Sequence, residues 1–156
     1  MADTFSLSTA SFKIGGPIPP HYTCDGQDQS PALQWEHAPT NTKSLLLIMS
    51  DPDAPNGTFY HWIIYNLPPT TTQLAEGAHA LPPGASIGKN DFGKTQYSGP
   101  CPPNGPAHTY HFTIYALDIP TLTFDHPPVA AMVLAAIQGH ILGGAELTGQ
   151  YGKHHD

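Results

Sequence analysis

Apolar residues in this chain fall into short runs separated by proline, glycine and asparagine. The runs Phe5–Phe12, Ala32–Trp35, Ser44–Ser50, His61–Leu67 and Tyr110–Leu117 either alternate with polar residues or are wholly apolar. Runs of this length, rich in β-branched and aromatic residues and bounded by turn formers, predict strands of an all-β sandwich. One segment departs from the pattern. Pro127–Leu142 is rich in Ala, Leu, Met and Ile, with Pro127 and Pro128 suited to a first turn and Gly143-Gly144 to an exit, and it predicts one main helix near the C-terminus. Ala145–Tyr151 then predicts a last short strand.

Between the runs lie long loops. Residues 77–105 hold few apolar side chains and much Gly, Pro and Asn, and an ordered loop of that length usually carries function. The richest part is Gly99-Pro100-Cys101-Pro102-Pro103-Asn104-Gly105-Pro106-Ala107-His108-Thr109-Tyr110. Proline fixes φ and glycine permits close approach of a ligand to the backbone, so this stretch can hold a polar cavity in one shape. With 156 residues, residues 1–156 are expected to form a single domain. There is no internal repeat and no low-complexity tract, and Lys153-His154-His155-Asp156 reads as a frayed end rather than a metal site.

Charge narrows the function. The formal net charge is −7, with five lysines and no arginine, so the chain lacks the basic footprint of a nucleic-acid binder. Without a guanidinium fork, any anion must be held by histidine, hydroxyls and backbone N–H groups, which predicts modest, pH-dependent affinity. No signal-like opening and no apolar run near the ~20 residues of a spanning helix is present. A cytoplasmic protein without stable membrane anchoring is expected. Cys24 and Cys101 are expected as free thiols in such a compartment, with a single bridge as the alternative because both sit in loops near one cavity.

Strand alternation sorts the candidate chemistry. In a strand, His108, Tyr110, Phe112 and Ile114 share one face, and Thr109, His111, Thr113 and Tyr115 the other. His108-x-x-His111 is therefore no zinc pair, whereas His108 and Tyr110 converge. The same rule groups His61, Ile63, Tyr65 and Leu67 against Trp62 and Ile64, with His61 at the strand's mouth. Asp51, just past the apolar Leu45–Met49 run, is the candidate to orient an imidazole. Asp53 stands in the rigid turn Asp51-Pro52-Asp53-Ala54-Pro55, where a cis Ala54–Pro55 bond is expected; the plain alternative is that both carboxylates only cap turn N–H groups. His21, His37, His79, His126 and His140 have no polar partner legible nearby and read as surface or satisfied-core residues, Trp35 and Trp62 as core, and Asp25-Gly26 as a turn.

Taken together, Cys24-Asp25-Gly26, Ser30-Pro31-x-Leu33-x-Trp35, Asp51-Pro52-Asp53-Ala54-Pro55, His61-Trp62, Gly99-Pro100-Cys101-Pro102-Pro103 and His108-x-Tyr110 closely resemble the phosphatidylethanolamine-binding protein family, in its bacterial and archaeal branch often called Raf kinase inhibitor-like. The resemblance spans Phe5 to Tyr151. It implies a sandwich of two antiparallel sheets with few helices, and a small pocket at one end for phosphate-like groups and phospholipid head groups. Carried over by position, the pocket residues are Asp51, Asp53, His61, His108 and Tyr110, with Gly99 and Pro103 on the rim. Where eukaryotic relatives often carry arginine after the last histidine, Thr109 stands here, which weakens any carry-over of kinase regulation and tight membrane binding.

Three functions compete. The first is a non-enzymatic module that binds a small anionic ligand through His61, His108 and Tyr110, with affinity falling as pH rises past about 6.5, and that could regulate a partner protein. The second is acid-base hydrolysis, for which no Gly-x-Ser-x-Gly elbow or other supported nucleophile is present. The third is inhibition of a kinase or protease through the loops around the pocket, supported by family analogy alone. No enzyme activity and no cofactor is expected. A homodimer is compatible with the sequence, although no residue marks an interface.

Overall fold

The structure, a computed structural model, describes residues 4–55, 57–77, 81–102 and 105–152. Among these the chain forms, in order, β1 (Ser6–Ser8), β2 (Leu33–Glu36), β3 (Ser44–Asp51), β4 (Phe59–Leu67), β5 (Gln73–Leu74), β6 (Ser86–Ile87), β7 (His108–Leu117), α1 (Ala130–Ala136) and β8 (Ile141–Tyr151). The strands pair antiparallel in two sheets, a small one ordered β1-β2-β5 and a large one ordered β6-β4-β3-β7-β8. The expected all-β architecture of two antiparallel sheets is what forms.

β3 explains the layering. Its run Leu45-Leu46-Leu47-Ile48-Met49 is buried throughout, so the strand needs apolar cover on both faces and takes the centre of the large sheet. Leu45, Leu47 and Met49 face the small sheet and pack with Leu7, Leu33, Trp35 and Phe112. Leu46 and Ile48 face the opposite way, where Ala130, Val133 and Ile137 of the α1 segment, with Leu122, close a second core.

The helix is shorter than the sequence pattern predicts. Pro128 stays extended because its carbonyl accepts the Lys89 N–H at 2.7 Å, and the helix starts only after Val129 (ψ 165°). It ends before Gly139, which takes a left-handed φ of 82°. Ile141 and Leu142 then enter β8, and Gly143 and Gly144 pair with Ala116 and Tyr115 instead of ending a helix. Helical composition gives way here to a full-length partner strand for β7. Phe5–Phe12 also contracts to the three residues of β1. Within the long 77–105 loop, β6 adds a short edge strand beside β4.

Two further expectations change. No cis peptide bond occurs among the described residues, Ala54–Pro55 included; the turn is held instead by Asp51 Oδ1, which accepts the Asp53 N–H at 2.9 Å. Cys24 and Cys101 are not free thiols but a disulfide, with Cα atoms 5.4 Å apart. Their loops are drawn together by neighbouring bonds: Cys24 N–H to Pro100 O at 3.1 Å, Gly99 N–H to Asp28 Oδ1 at 2.7 Å, and Tyr97 O–H to Tyr22 O at 2.7 Å. Disulfides persist in oxidising surroundings, so the thiol argument for a cytoplasmic protein no longer applies. Among the described residues no helix is long and apolar enough to cross a membrane.

The bridge spans 77 residues of sequence and restricts the unfolded chain strongly. Replacing both cysteines by serine is expected to lower the unfolding free energy by about 2–4 kcal/mol in urea titrations. An unchanged midpoint would show that the bridge does not constrain the unfolded chain.

Candidate functional site

The site is built where β3, β4 and β7 end together. On β3 and β4, Met49 pairs with Trp62 but Ser50 pairs with Tyr60, so His61 is the extra residue of a bulge. A bulge re-aims side chains, and this one puts His61 beside Tyr110, ring centroids 5.4 Å apart, rather than with Ile63 and Tyr65 as strict alternation predicts. A second irregularity, between the Leu45 and Leu47 pairs, moves Leu67 to the inter-sheet core. There Asn66 has a φ of 57°, and its amide is bonded twice to the Leu122 backbone. His61 is thus not at a strand mouth but 3% exposed inside the sheet end.

Asp51 orients an imidazole, and the imidazole is that of His108. Nδ1–H of His108 donates to Asp51 Oδ2 at 2.6 Å, which fixes the tautomer and leaves Nε2 as the free ring nitrogen. His61 is set differently. Its Nδ1–H donates to the Ser98 carbonyl at 2.7 Å, so its Nε2 carries a lone pair when the ring is neutral. Burial pushes the His61 pKa below its usual 6.5, against smaller upward pulls from the Ser98 carbonyl and the Asp51 charge.

Tyr110 lies between the two histidines, its ring stacked near His108 at 6.3 Å and edge-on to His61. It is fully buried, and among the described residues its hydroxyl has no hydrogen-bond partner. Burial, followed by the adjacent Asp51 charge, raises its pKa and keeps it a donor. Asp51 lies within reach of the hydroxyl, and each of its oxygens keeps a lone pair beyond the one that accepts the Asp53 N–H or the His108 Nδ1–H.

These groups open into a cavity of about 560 Å³ that Asp51, His61, His108 and Tyr110 share with an apolar lip of Phe59, Phe92, Ala54, Pro55 and Pro102. No lysine lines it. Phe92 is 44% exposed and contacts Phe59 (4.7 Å) and His61 (5.5 Å) edge-on. Its position depends on Asn90, a buried residue of the 77–105 loop. Asn90 Oδ1 accepts the Phe92 and Lys94 N–H groups at 3.0 Å each, and its Nδ2 faces the carbonyls of His61 and Gln96 and the Ser98 hydroxyl.

Of the residues expected at the pocket, Asp51, His61, His108 and Tyr110 converge. Two do not line the cavity. Asp53 is an exposed brace whose Oδ2 accepts the Thr109 N–H at 2.8 Å. Gly99 has given its N–H to Asp28, and a Cβ there would lie 2.1 Å from the Tyr22 carbonyl, so its close approach is to protein and not to a ligand. The Gly99–Pro102 stretch reaches the cavity through Cys101 and Pro102. Pro103 lies outside the described residues, as does His79. His111 bonds Glu146 at 2.9 Å on the far face of β7, His140 bonds Asp118 at 2.9 Å, and His21 reaches Gln29 at 3.2 Å. Among the described residues no cluster of His, Cys, Asp or Glu could hold a metal.

Residues 8–152 match the family model described as phosphatidylethanolamine-binding protein. The chain belongs to the phosphatidylethanolamine-binding protein family. Similar family relatives come from archaea and bacteria. A UPF0098 protein of Methanothermobacter thermautotrophicus is 47% identical over 151 residues, covering 94% of this chain and 97% of its own. One from Aquifex aeolicus is 47% identical over 146 residues, covering 90% and 84%. Among solved structures, a Chlamydia trachomatis protein described as a phosphatidylethanolamine-binding protein homologue superposes with a TM-score of 0.88 at 41% identity, covering 96% of this chain and 98% of that one. YbcL of Escherichia coli, described as a new member of the mammalian family, gives 0.91 at 31% identity over 96% and 99%.

Sequence reasoning missed Phe59, Phe92, Asn90 and Ser98. Asn90 carried no signal, because an asparagine in a turn-rich loop reads as one more turn former. Replacing it by alanine is expected to cost about 3 kcal/mol, since buried groups lose their partners, and to increase loop 90–98 amide exchange before that of β3. Uniform exchange across the chain would contradict this.

The His61 shift fixes the sign of one pH effect. With a folded pKa below 6.5, His61 contributes stability that is fully present above pH 6.5 and is lost as pH falls through the folded value, because the unfolded ring takes up a proton first. The His61 ring is expected to titrate by NMR with a midpoint below 6.5, and His61→Gln to flatten the acid side of the stability profile. A midpoint at or above the ordinary value would overturn the burial argument.

Proposed function

We propose that the cavity binds, without turning it over, a small anion that carries both an acceptor oxygen and a protonated one, such as a phosphate monoester of the phosphoethanolamine kind. The observation that carries the reading is the convergence of His61, the Asp51-oriented His108 and Tyr110 on one cavity.

The donor and acceptor pattern supports a protonated phosphate. Tyr110 O–H donates to an anionic oxygen, and so does His108 Nε2 whenever it carries a proton. Neutral His61 offers a lone pair at Nε2, which accepts from a P–O–H group. Phosphate monoesters lose that proton around pH 6, so rising pH removes the donor that His61 needs. The apolar lip of Phe59, Phe92 and Pro102 suits the organic portion of the ligand. Binding fits better than catalysis because, among the described residues, no serine or threonine hydroxyl and no cysteine thiol is hydrogen-bonded to either imidazole, and the Cys101 sulfur is held in the disulfide.

Titration calorimetry with phosphoethanolamine tests this reading. Wild-type protein is expected to bind at pH 6 and more weakly at pH 8. Tyr110→Phe is expected to lose about tenfold in affinity, the equivalent of one hydrogen bond to a charged group, while the free protein stays as stable as wild type or gains slightly. Absence of binding at pH 6 overturns the proposal, as does a Tyr110→Phe variant that binds normally.

A further inference from the structure

The loop that supplies Phe92 to the cavity has a second side. Lys89, Gly93, Lys94, Thr95 and Gln96 form one wall of a separate groove of about 710 Å³, whose other wall is His126, Pro127, Val129 and Met132. Among the described residues no aspartate or glutamate lines it. The chain carries a net charge of −7 and has only five lysines, yet two of them meet here. Neither has an ion pair among the described residues. Of the two acids nearest in sequence, Asp91 turns away, its Oδ2 accepting the Tyr60 N–H at 2.8 Å, and lines the other cavity, whereas Asp125, which precedes His126, does not line the groove.

The groove is preformed. Lys89 N–H donates to Pro128 O at 2.7 Å, and Lys89 bridges Val129 in a short parallel pairing, which ties the two walls together. Asn90 accepts the Lys94 N–H and donates its own backbone N–H to Lys94 O at 2.8 Å, which closes the lysine-bearing turn. The opposite wall is apolar and open, with Val129 39% and Met132 41% exposed. Two uncompensated positive charges facing an exposed apolar wall fit a ligand with negative charge on one side and an apolar side chain on the other.

We propose that this groove docks a short acidic segment of a partner protein, with carboxylates against Lys89 and Lys94 and one apolar side chain against Val129 and Met132. Charge complementarity selects this occupant. Two lysines are too few for nucleic acid, whose binders neutralise several phosphates, or for an anionic membrane surface, which recruits clusters of about four to eight basic residues. The proposal is independent of what fills the His108 cavity.

The test uses fluorescence polarisation with a labelled Glu-Glu-Leu-Glu-Glu peptide and its Gln-Gln-Leu-Gln-Gln counterpart. The acidic peptide is expected to bind at about 50 mM salt and to weaken severalfold by about 500 mM, while the glutamine peptide does not bind. The exposed double variant Lys89→Glu, Lys94→Glu is expected to keep its melting temperature and lose at least about tenfold in affinity. Met132→Ala is expected to lose about threefold, in line with one partly buried side chain. Phosphoethanolamine should not displace the peptide. Equal binding of the two peptides, no binding at about 1 mM, indifference to the charge reversal, or displacement by phosphoethanolamine each overturns the proposal. So does sedimentation showing that wild-type chains associate through these lysines and thereby exclude the peptide, since the occupant is then a second copy.

Discussion

Everything else in this molecule is arranged around a strand that cannot face water on either side. Five consecutive large apolar residues, Leu45 to Met49, leave β3 no solvent face, so the large sheet needs the small sheet on one side and α1 with Leu122 on the other. The run stops at Ser50 and Asp51, and polar chemistry begins there. Asp51 is held at the edge of a dry core, where a carboxylate is costly unless its oxygens are matched. They are matched, by the Asp53 N–H and His108. The demand of one buried strand therefore places both the layers of the fold and the anchor of the site.

This constraint explains what could be read in advance. The apolar runs located β2, β3, β4 and β7, and alternation along β7 separated His108 and Tyr110 from His111, which bonds Glu146 on the far face. Residue order also brought out Asp51 as an orienting group. Alternation failed on β4, where two register shifts aim His61 and Leu67 at the inter-sheet core. A bulge adds one residue without a change in composition, so periodicity passes over it. The C-terminal region failed for another reason: Pro127–Leu142 has helical composition, but β7 requires a partner over its full length, and Gly139 lets the chain turn early enough to supply one. The Cys24–Cys101 bridge and the Asn90 network join residues far apart in sequence or looking like ordinary turn formers, and no local pattern announces either.

The two histidines illustrate how identical side chains acquire different roles. One is paired with a carboxylate, the other with a main-chain carbonyl and a desolvating wall, and the buried tyrosine between them lies beside the same carboxylate. The absence of arginine matters in this context. A guanidinium would hold any phosphate at any pH, whereas imidazoles and a phenol discriminate between protonation states of the same anion. On the reading proposed above, such a pocket selects a protonation form of an anion, at the expense of strength.

The disulfide has a topological consequence. It closes a covalent ring from residue 24 to residue 101 that contains β2 through β6, while β1 lies before it and β7, α1 and β8 after it. A protease that cuts the backbone anywhere within that ring, for example at the exposed Pro83-Gly84, leaves two fragments that remain one molecule. Each fragment carries strands of the large sheet: β3 and β4 precede such a cut, and β6, β7 and β8 follow it. The two fragments separate by size only after reduction, and until then the bridge holds the strands on either side of the cut together.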